Sequence, residues 1–432
     1  MRFDLQEVAT ATGGRLVGDN VSVDGVSIDS REIDGPVLFV PIVAERDGHE
    51  FIPTAVAAGA AASLTSGAAV AGPHVVVDDT TTALQALGRH ARGRMPDAVV
   101  GVTGSVGKTT TKDLLASVLG ADRPTHASVR SFNNELGVPL TLTNAPDDTE
   151  AVVVEMGARG VGHIRQLCDI AHPTVGVVLA VGAAHTELFG DLDGVALAKG
   201  ELVEALPASG TAVLNAADPR VIAMASRTEA EVITFGTGGD VTAADITLDG
   251  DLRPSFELRT PAGSAAVRLR AAGLHAVSNA LAAAAAAIAL DVSPSTVAAG
   301  LEAADISPWR MSVAHTADGG TVINDAYNAN PLSMHAAIDA LLALDAERRV
   351  AVVGRMAELG AEGPEEHRRV GERLAAAGVE VIAFDVAEYG GTLVSTIDEA
   401  AAAVGTVGAG TAVLVKASRV AGLERLAEAL TA

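Results

Sequence analysis

The tightest constraint on this chain is a junction. The apolar run Val99 to Val102 leads into Gly104-Ser105-Val106-Gly107-Lys108-Thr109, and a helical pattern opens at Lys108. A strand, a glycine loop and a helix N-terminus in that order aim backbone N–H groups and a helix dipole at a phosphate. A compact ammonium then reaches between the outer phosphates, and the next hydroxyl ligates Mg²⁺. The strict Walker pattern wants a Gly where Val102 stands, so the match is to the shorter Gly-x-x-Gly-Lys-Thr. The chain has four lysines, at 108, 112, 199 and 416. Two of them, Lys108 in the loop and Lys199 in Ala198-Lys199-Gly200-Glu201, sit where a planar, always-charged guanidinium could not do the same chemistry. A phosphate-handling enzyme is the first reading.

Composition narrows the field. A length of 432 residues suggests roughly two to four domains, and 49% hydrophobic content suffices for several cores. A net charge of −24 argues against a nucleic-acid surface, which needs basic patches. It also means that an anionic substrate must be held by local donors and Mg²⁺. The alanine-rich run Ala280 to Leu290 is too short to cross a membrane, and residues Met1 to Glu7 lack the basic start and apolar core of a signal peptide. The lone Cys168 excludes an internal disulfide framework. A cytoplasmic, unexported chain without membrane insertion follows as the expectation, with a monomer as the default state.

Three modules are expected. Residues 1–83 read as a small α/β unit, with short β-type runs at Val37 to Val40 and Val75 to Val77 and a helical pattern from Thr54 to Ala62. Residues 84–307 alternate strands (Val99 to Val102, Val152 to Glu155, Val175 to Val181, Ala212 to Leu214) with helices (Lys108 to Leu119, Asp193 to Leu206), which implies a mostly parallel P-loop sheet. Within them, residues 231–271 alternate polar and apolar positions, as antiparallel strands on one edge of that sheet would. Residues 308–432 form a second alternating, Rossmann-like unit.

The phosphate loop leaves several functions open. The Asn-Lys-x-Asp signature of a GTPase is absent, since no lysine here follows Asn. The apolar run Val152 to Val154 ends in Glu155, whose carboxylate can hold Mg²⁺. His185 follows the strand Val175 to Val181 by a short loop, and Lys199 lies one helix later, so both are expected at the carboxyl edge of the sheet. An uncharged lysine amine can add CO₂ to give a carbamate that binds metal as a carboxylate does. Glu155, His185 and carbamylated Lys199 would then hold a second Mg²⁺. A zinc site from His163, Cys168 and His172 is a weaker reading, because a single thiol without a CxxC partner is a poor zinc signal.

The chain resembles the Mur ligase family of ATP-dependent amide-forming enzymes along essentially its whole length. The resemblance is carried, in order, by Asp29-Ser30-Arg31, Asp47-Gly48-His49, Gly104 to Thr111, Asn133 to Pro139, Glu155-Met156-Gly157, Ala184-His185, Ala198 to Glu201, Asn215, Trp309-Arg310-Met311, Asn324 to Pro331 and Ala357 to Gly360. The segment Asp325-Ala326-Tyr327-Asn328-Ala329-Asn330-Pro331 resembles the branch that adds D-alanyl-D-alanine to UDP-N-acetylmuramoyl-tripeptide. The resemblance implies three domains: one gripping the UDP-sugar, a central ATPase, and a C-terminal domain that closes over ATP and brings the dipeptide. It implies that a substrate carboxylate attacks the γ-phosphate of ATP to give an acyl phosphate, which the dipeptide amine then attacks.

By the same carry-over Lys108, Glu155, His185 and Lys199 are catalytic. Thr109 and Glu155 hold one Mg²⁺, while Gly104, Ser105, Val106, Gly107, Thr110, Asn134, Asn279, Arg310 and Asp325 contact ATP. Ser30, Arg31, Asn133, Tyr327, Asn328 and Asn330 contact the substrates. Ala180, Ala276, Arg355, Ala417 and the segment Pro41 to Ala44 depart from the family pattern, and none of them is a catalytic position. Another acid–amino-acid ligase of the same fold, whether another Mur ligase acting on a different UDP-muramoyl peptide or a folylpolyglutamate-synthase-like enzyme, and a non-catalytic nucleotide-binding protein are the alternatives. The third residue of the tripeptide leaves no mark in any motif.

Overall fold

The computed structural model describes residues 1–432 except 68–69, 130, 183–188 and 358. Its centre is a six-stranded, all-parallel sheet in the order Glu231–Phe235, Thr211–Asn215, Val175–Val178, Val99–Thr103, Ala151–Glu155, Thr125–Ala127. The strands Val99–Thr103 and Ala151–Glu155 are buried along their whole length, as strands covered on both faces must be. Side chains alternate across a strand. Val152 and Val154 accordingly join one core, with Leu84, Leu87, Ile164 and Leu202, while Ala151 and Val153 join the other, with Leu114, Leu115 and Val297. In the second core the helix His275–Ile288 contributes an unbroken buried run, Ala280 to Ala287, whose small side chains let it lie close to the sheet.

Val99–Thr103 lies between Ala151–Glu155 and Val175–Val178, where the strand order reverses. In open α/β sheets the crevice beyond the carboxyl ends at such a point is where ligands bind. The C-terminal residues form a second six-stranded sheet, parallel except for the edge strand Ser312–His315. The N-terminal residues form a five-stranded mixed sheet and a two-stranded antiparallel pair.

Two expectations need correction. The helix expected over Thr54 to Ala62 is Ile52–Ala57, because Gly59 turns the chain at φ 115° and Ala62–Thr65 is already a buried strand. Residues 231–271 do not form one antiparallel edge. Glu231–Phe235 joins the central sheet in parallel, whereas Thr242–Leu248, Pro254–Thr260 and Gly263–Arg268 make a separate antiparallel sheet. Phe256, Leu258 and Val267 of that sheet pack into the same core as the alanine helix. Alternation reports one buried face, and it does not report which sheet supplies the hydrogen bonds.

Arg92 shows how the helices on the first face are fastened. It is the last residue of the helix Thr80–Arg92 and is buried. Its guanidinium donates to the carbonyls of Ala171 (2.8 Å) and His172 (3.1 Å), at the C-terminal end of the helix His163–Ala171, and to Pro96 (3.2 Å). A cation at that end satisfies carbonyls that the helix itself cannot. Arg92→Ala is expected to destabilise the protein by on the order of 3 kcal/mol, since buried carbonyls lose their donor and a cavity opens. A urea-unfolding midpoint equal to wild type would refute this.

Candidate active site

The glycine loop runs from the end of Val99–Thr103 to the helix Lys108–Gly120. Gly107 sits at φ 82°, and a Cβ there would lie 2.4 Å from Asn279 Oδ1, so only glycine allows the loop to pass beneath the alanine helix. Ser105 ties the loop to the neighbouring strand's exit: its N–H donates to Ala180 O (2.9 Å), its hydroxyl donates to Gly182 O (3.0 Å), and it accepts from Gly182 N–H (3.0 Å). Lys108 Nζ donates to Gly104 O at 2.8 Å, so the ammonium arches over the loop.

Glu155 ends its strand 1% exposed, on the neighbour of the loop's own strand and directly opposite Val102. Its Oε2 accepts from the Thr109 hydroxyl at 2.7 Å and its Oε1 from Asn133 Nδ2 at 2.8 Å. A hydroxyl and a carboxylate side by side are the hard oxygen donors that Mg²⁺ takes. Lys199, on the helix Leu192–Glu204, lines the same cleft and is 5% exposed. Burial, and then the charge of Lys108, hold its amine well below the usual lysine range. Among the described residues no hydrogen bond or ion pair satisfies it. A neutral, buried amine beside a cation is the state that can add CO₂, so the residues present fit a carbamate. His185 lies outside the described residues, as does Glu358.

The cleft has a volume of about 490 Å³ and spans the central and C-terminal sheets. From the C-terminal side Arg310 Nη2 donates to Thr109 Oγ1 at 2.8 Å. Trp309 and Met311 flank it at φ 61° and 53°, a left-handed backbone that non-glycine residues adopt at a cost and that collects at functional sites. Asp325 accepts from Met311 N–H (3.0 Å) and from Lys416 Nζ (2.5 Å), and Lys416 also donates to Asn328 O (2.8 Å). Asn330 caps the helix Pro331–Ala343 through a capping box with Ser333 and reaches Ser105 O at 3.4 Å. Asn134 Oδ1 accepts from the N–H groups of Leu136 and Gly137 at the start of Gly137–Thr143.

The structure therefore brings Gly104 to Thr110, Asn133, Asn134, Glu155, Lys199, Asn279, Arg310, Asp325, Tyr327, Asn328 and Asn330 to one cleft. Ser30 and Arg31 are not among its lining residues. Arg31 is exposed and forks onto Asp29 (2.9 and 2.6 Å), which pulls that carboxyl down to about 2. Cys168 is buried against Met156 Sδ, and burial pushes its thiol up to about 12, so it is a core residue. Ser131, His275 and Lys416 also line the cleft, and no sequence signal marked Ser131.

Residues 102–287 match the Mur ligase middle domain, and residues 309–419 match the Mur ligase glutamate ligase domain. This chain belongs to the Mur ligase family. The UDP-N-acetylmuramoyl-tripeptide--D-alanyl-D-alanine ligase of Mycobacterium tuberculosis is 44% identical to this Mur ligase over 80% of the chain and 74% of its own length. The Escherichia coli ligase of the same name is 35% identical over 87% and 84%. A crystal structure of MurF from Acinetobacter baumannii superposes with a TM-score of 0.90 at 32% identity, covering 100% of this chain and 99% of that one. MurF from Thermotoga maritima in complex with ADP superposes at 0.83 and 30% identity, covering 95% and 97%. A Mycobacterium tuberculosis folylpolyglutamate synthase shares the fold at 0.64 and 18% identity, over 80% and 93%.

The burial of Lys199 has a measurable consequence. Between its lowered folded pKa and 10.5, the unfolded chain binds the proton and the folded chain does not, so stability rises with pH across that window. In bicarbonate-free buffer Lys199→Met is expected to be at least as stable as wild type at pH 7.5 and to lack that component of the rise. A variant that unfolds more easily than wild type at pH 7.5 would show that the amine has a stabilising partner.

Proposed function

We propose that this Mur ligase joins D-alanyl-D-alanine to UDP-N-acetylmuramoyl-tripeptide, with ATP converted to ADP and phosphate. The observation that carries the reading is the convergence of Lys108, Thr109, Glu155 and Lys199 on one cleft, in a chain 35–44% identical to ligases of that name. MurF of Thermotoga maritima is an ADP complex, and the glycine loop here offers the same class of nucleotide its N–H groups and the Lys108 ammonium. Thr109 and Glu155 would hold one Mg²⁺; Glu155, His185 and carbamylated Lys199 would hold a second. Bound Mg²⁺ supplies charge neutralisation to the transferring phosphoryl group.

The chain's own residues do the rest by position. Lys108, arched over the loop, places a cation where the β- and γ-phosphates lie, and Arg310 brings a second from the opposite wall. The tripeptide carboxylate attacks the γ-phosphorus and ADP leaves, which converts a poor electrophile into an acyl phosphate. The dipeptide amine attacks its carbonyl, loses a proton, and phosphate leaves with the electron pair of the broken C–O bond. Asn328 and Asn330 stand on the C-terminal wall as the dipeptide's neighbours, while Asn134, Asn279 and Asp325 face the nucleotide. Ser30 and Arg31, which do not line the cleft, fit contacts to the UDP-sugar. Among the described residues no helix is long and apolar enough to cross a membrane, and precursor synthesis in the cytoplasm by a monomer fits the reading.

Purified protein is expected to form ADP over many turnovers only when ATP, Mg²⁺, the UDP-linked tripeptide and D-alanyl-D-alanine are all present. Equal ADP formation with a folate plus glutamate, or with single amino acids, would overturn the assignment. Lys199→Ala is expected to lose on the order of a hundredfold in kcat, as removal of a charge-stabilising group does. Carbon-13 bicarbonate should label the wild type at a carbamate and leave this variant unlabelled.

A further inference from the structure

Ser131 belongs to none of the sequence signals that define this site, yet it is one of the points where the two walls of the cleft meet. Its Oγ accepts from the phenol of Tyr327 at 2.7 Å and lies 3.2 Å from Thr109 Oγ1 and 3.4 Å from Arg310 Nη2. Thr109 in turn donates to Glu155. Tyr327 is fixed at three places. Its backbone N–H donates to Trp309 O at 3.2 Å, its ring lies beneath the Arg310 guanidinium with 4.0 Å to the centroid, and its hydroxyl is engaged by Ser131. Arg419 approaches the same ring at 5.7 Å. Cation–π attraction of this kind holds a guanidinium over a ring face and orients its donors.

We propose that Ser131 and Tyr327 form a positioning pair that couples docking of the C-terminal wall to the alignment of Arg310 and Thr109, a role that rests on the ligase reading above. The phenol-to-hydroxyl hydrogen bond sets how far the C-terminal wall approaches, and the ring sets where the Arg310 donors point. Neither residue needs to touch a reacting atom. Loss of the bond lets Arg310 and the Thr109–Glu155 pair drift apart, and such misplacement is costly in rate because the catalytic groups act only when correctly placed. Tyr327, expected from the sequence to contact substrate, is thereby assigned to the interface between the walls.

The test is a double-mutant cycle with Ser131→Ala, Tyr327→Phe and the pair, measured on the full-length enzyme with ATP, Mg²⁺, the UDP-linked tripeptide and D-alanyl-D-alanine. Each single variant is expected to lose about tenfold in kcat, the size of one positioned hydrogen bond. The KM for the tripeptide should stay within about twofold, and the Mg²⁺ concentration for half-maximal rate should rise. Because Tyr327→Phe removes a bond that Ser131→Ala already removes, the double variant should be no slower than Ser131→Ala alone. Ser131→Thr, which keeps the hydroxyl, should recover most of the rate. Additive losses, or singles that retain full kcat, would overturn the proposal. A wild type that forms no dipeptide-dependent ADP would instead overturn the ligase reading, so the two failures are distinguishable. Thermal unfolding of each variant within a few degrees of wild type separates positioning from damage to the fold.

Discussion

The site depends on one hydrogen bond, Thr109 Oγ1 to Glu155 Oε2, and on the sheet register that permits it. A carboxylate 1% exposed at the end of an apolar strand has lost most of its water, and that loss is tolerable only if donors replace it. Thr109 replaces it from the helix that leaves the glycine loop, and Asn133 replaces it from the other side. The glycine loop and the Glu155 carboxylate are thereby parts of one packed unit. Shifting either strand by one residue would turn Glu155 to the other face of the sheet and separate them.

Lys199 works against the same background in the opposite sense. Its amine is buried beside Lys108 without a described partner, an arrangement that favours the uncharged form and that a purely structural lysine would not be expected to keep. Burying an amine without a partner costs stability at this position. The buried Lys416 contrasts with it: it is 1% exposed and fully engaged by Asp325 and Asn328, and so holds the C-terminal loop in shape.

The elements that meet in the cleft were legible because they are local. A strand, a glycine loop and a helix fall within about twenty consecutive residues, and Glu155 and Lys199 stand out against an apolar run and a near-absence of lysine. Contacts between distant segments left no such trace. Tyr327 and Ser131 are 196 residues apart and Lys416 and Asp325 are 91 apart, and neither pair has a periodicity to betray it. The separate three-stranded sheet was hidden for a related reason: alternation marks a half-buried strand but leaves its partner open. The left-handed backbone at Trp309 and Met311 was equally silent, since neither residue type announces it.

The central claim is that the cleft activates an acid by phosphorylating it before an amine arrives. Its most direct test uses UDP-linked tripeptide labelled with oxygen-18 in the terminal carboxylate, with the released phosphate examined by mass spectrometry. Attack of that carboxylate on the γ-phosphorus predicts labelled phosphate, one carboxylate oxygen being carried off at each turnover. Phosphate free of label, formed at the same rate as the amide product, would contradict the account.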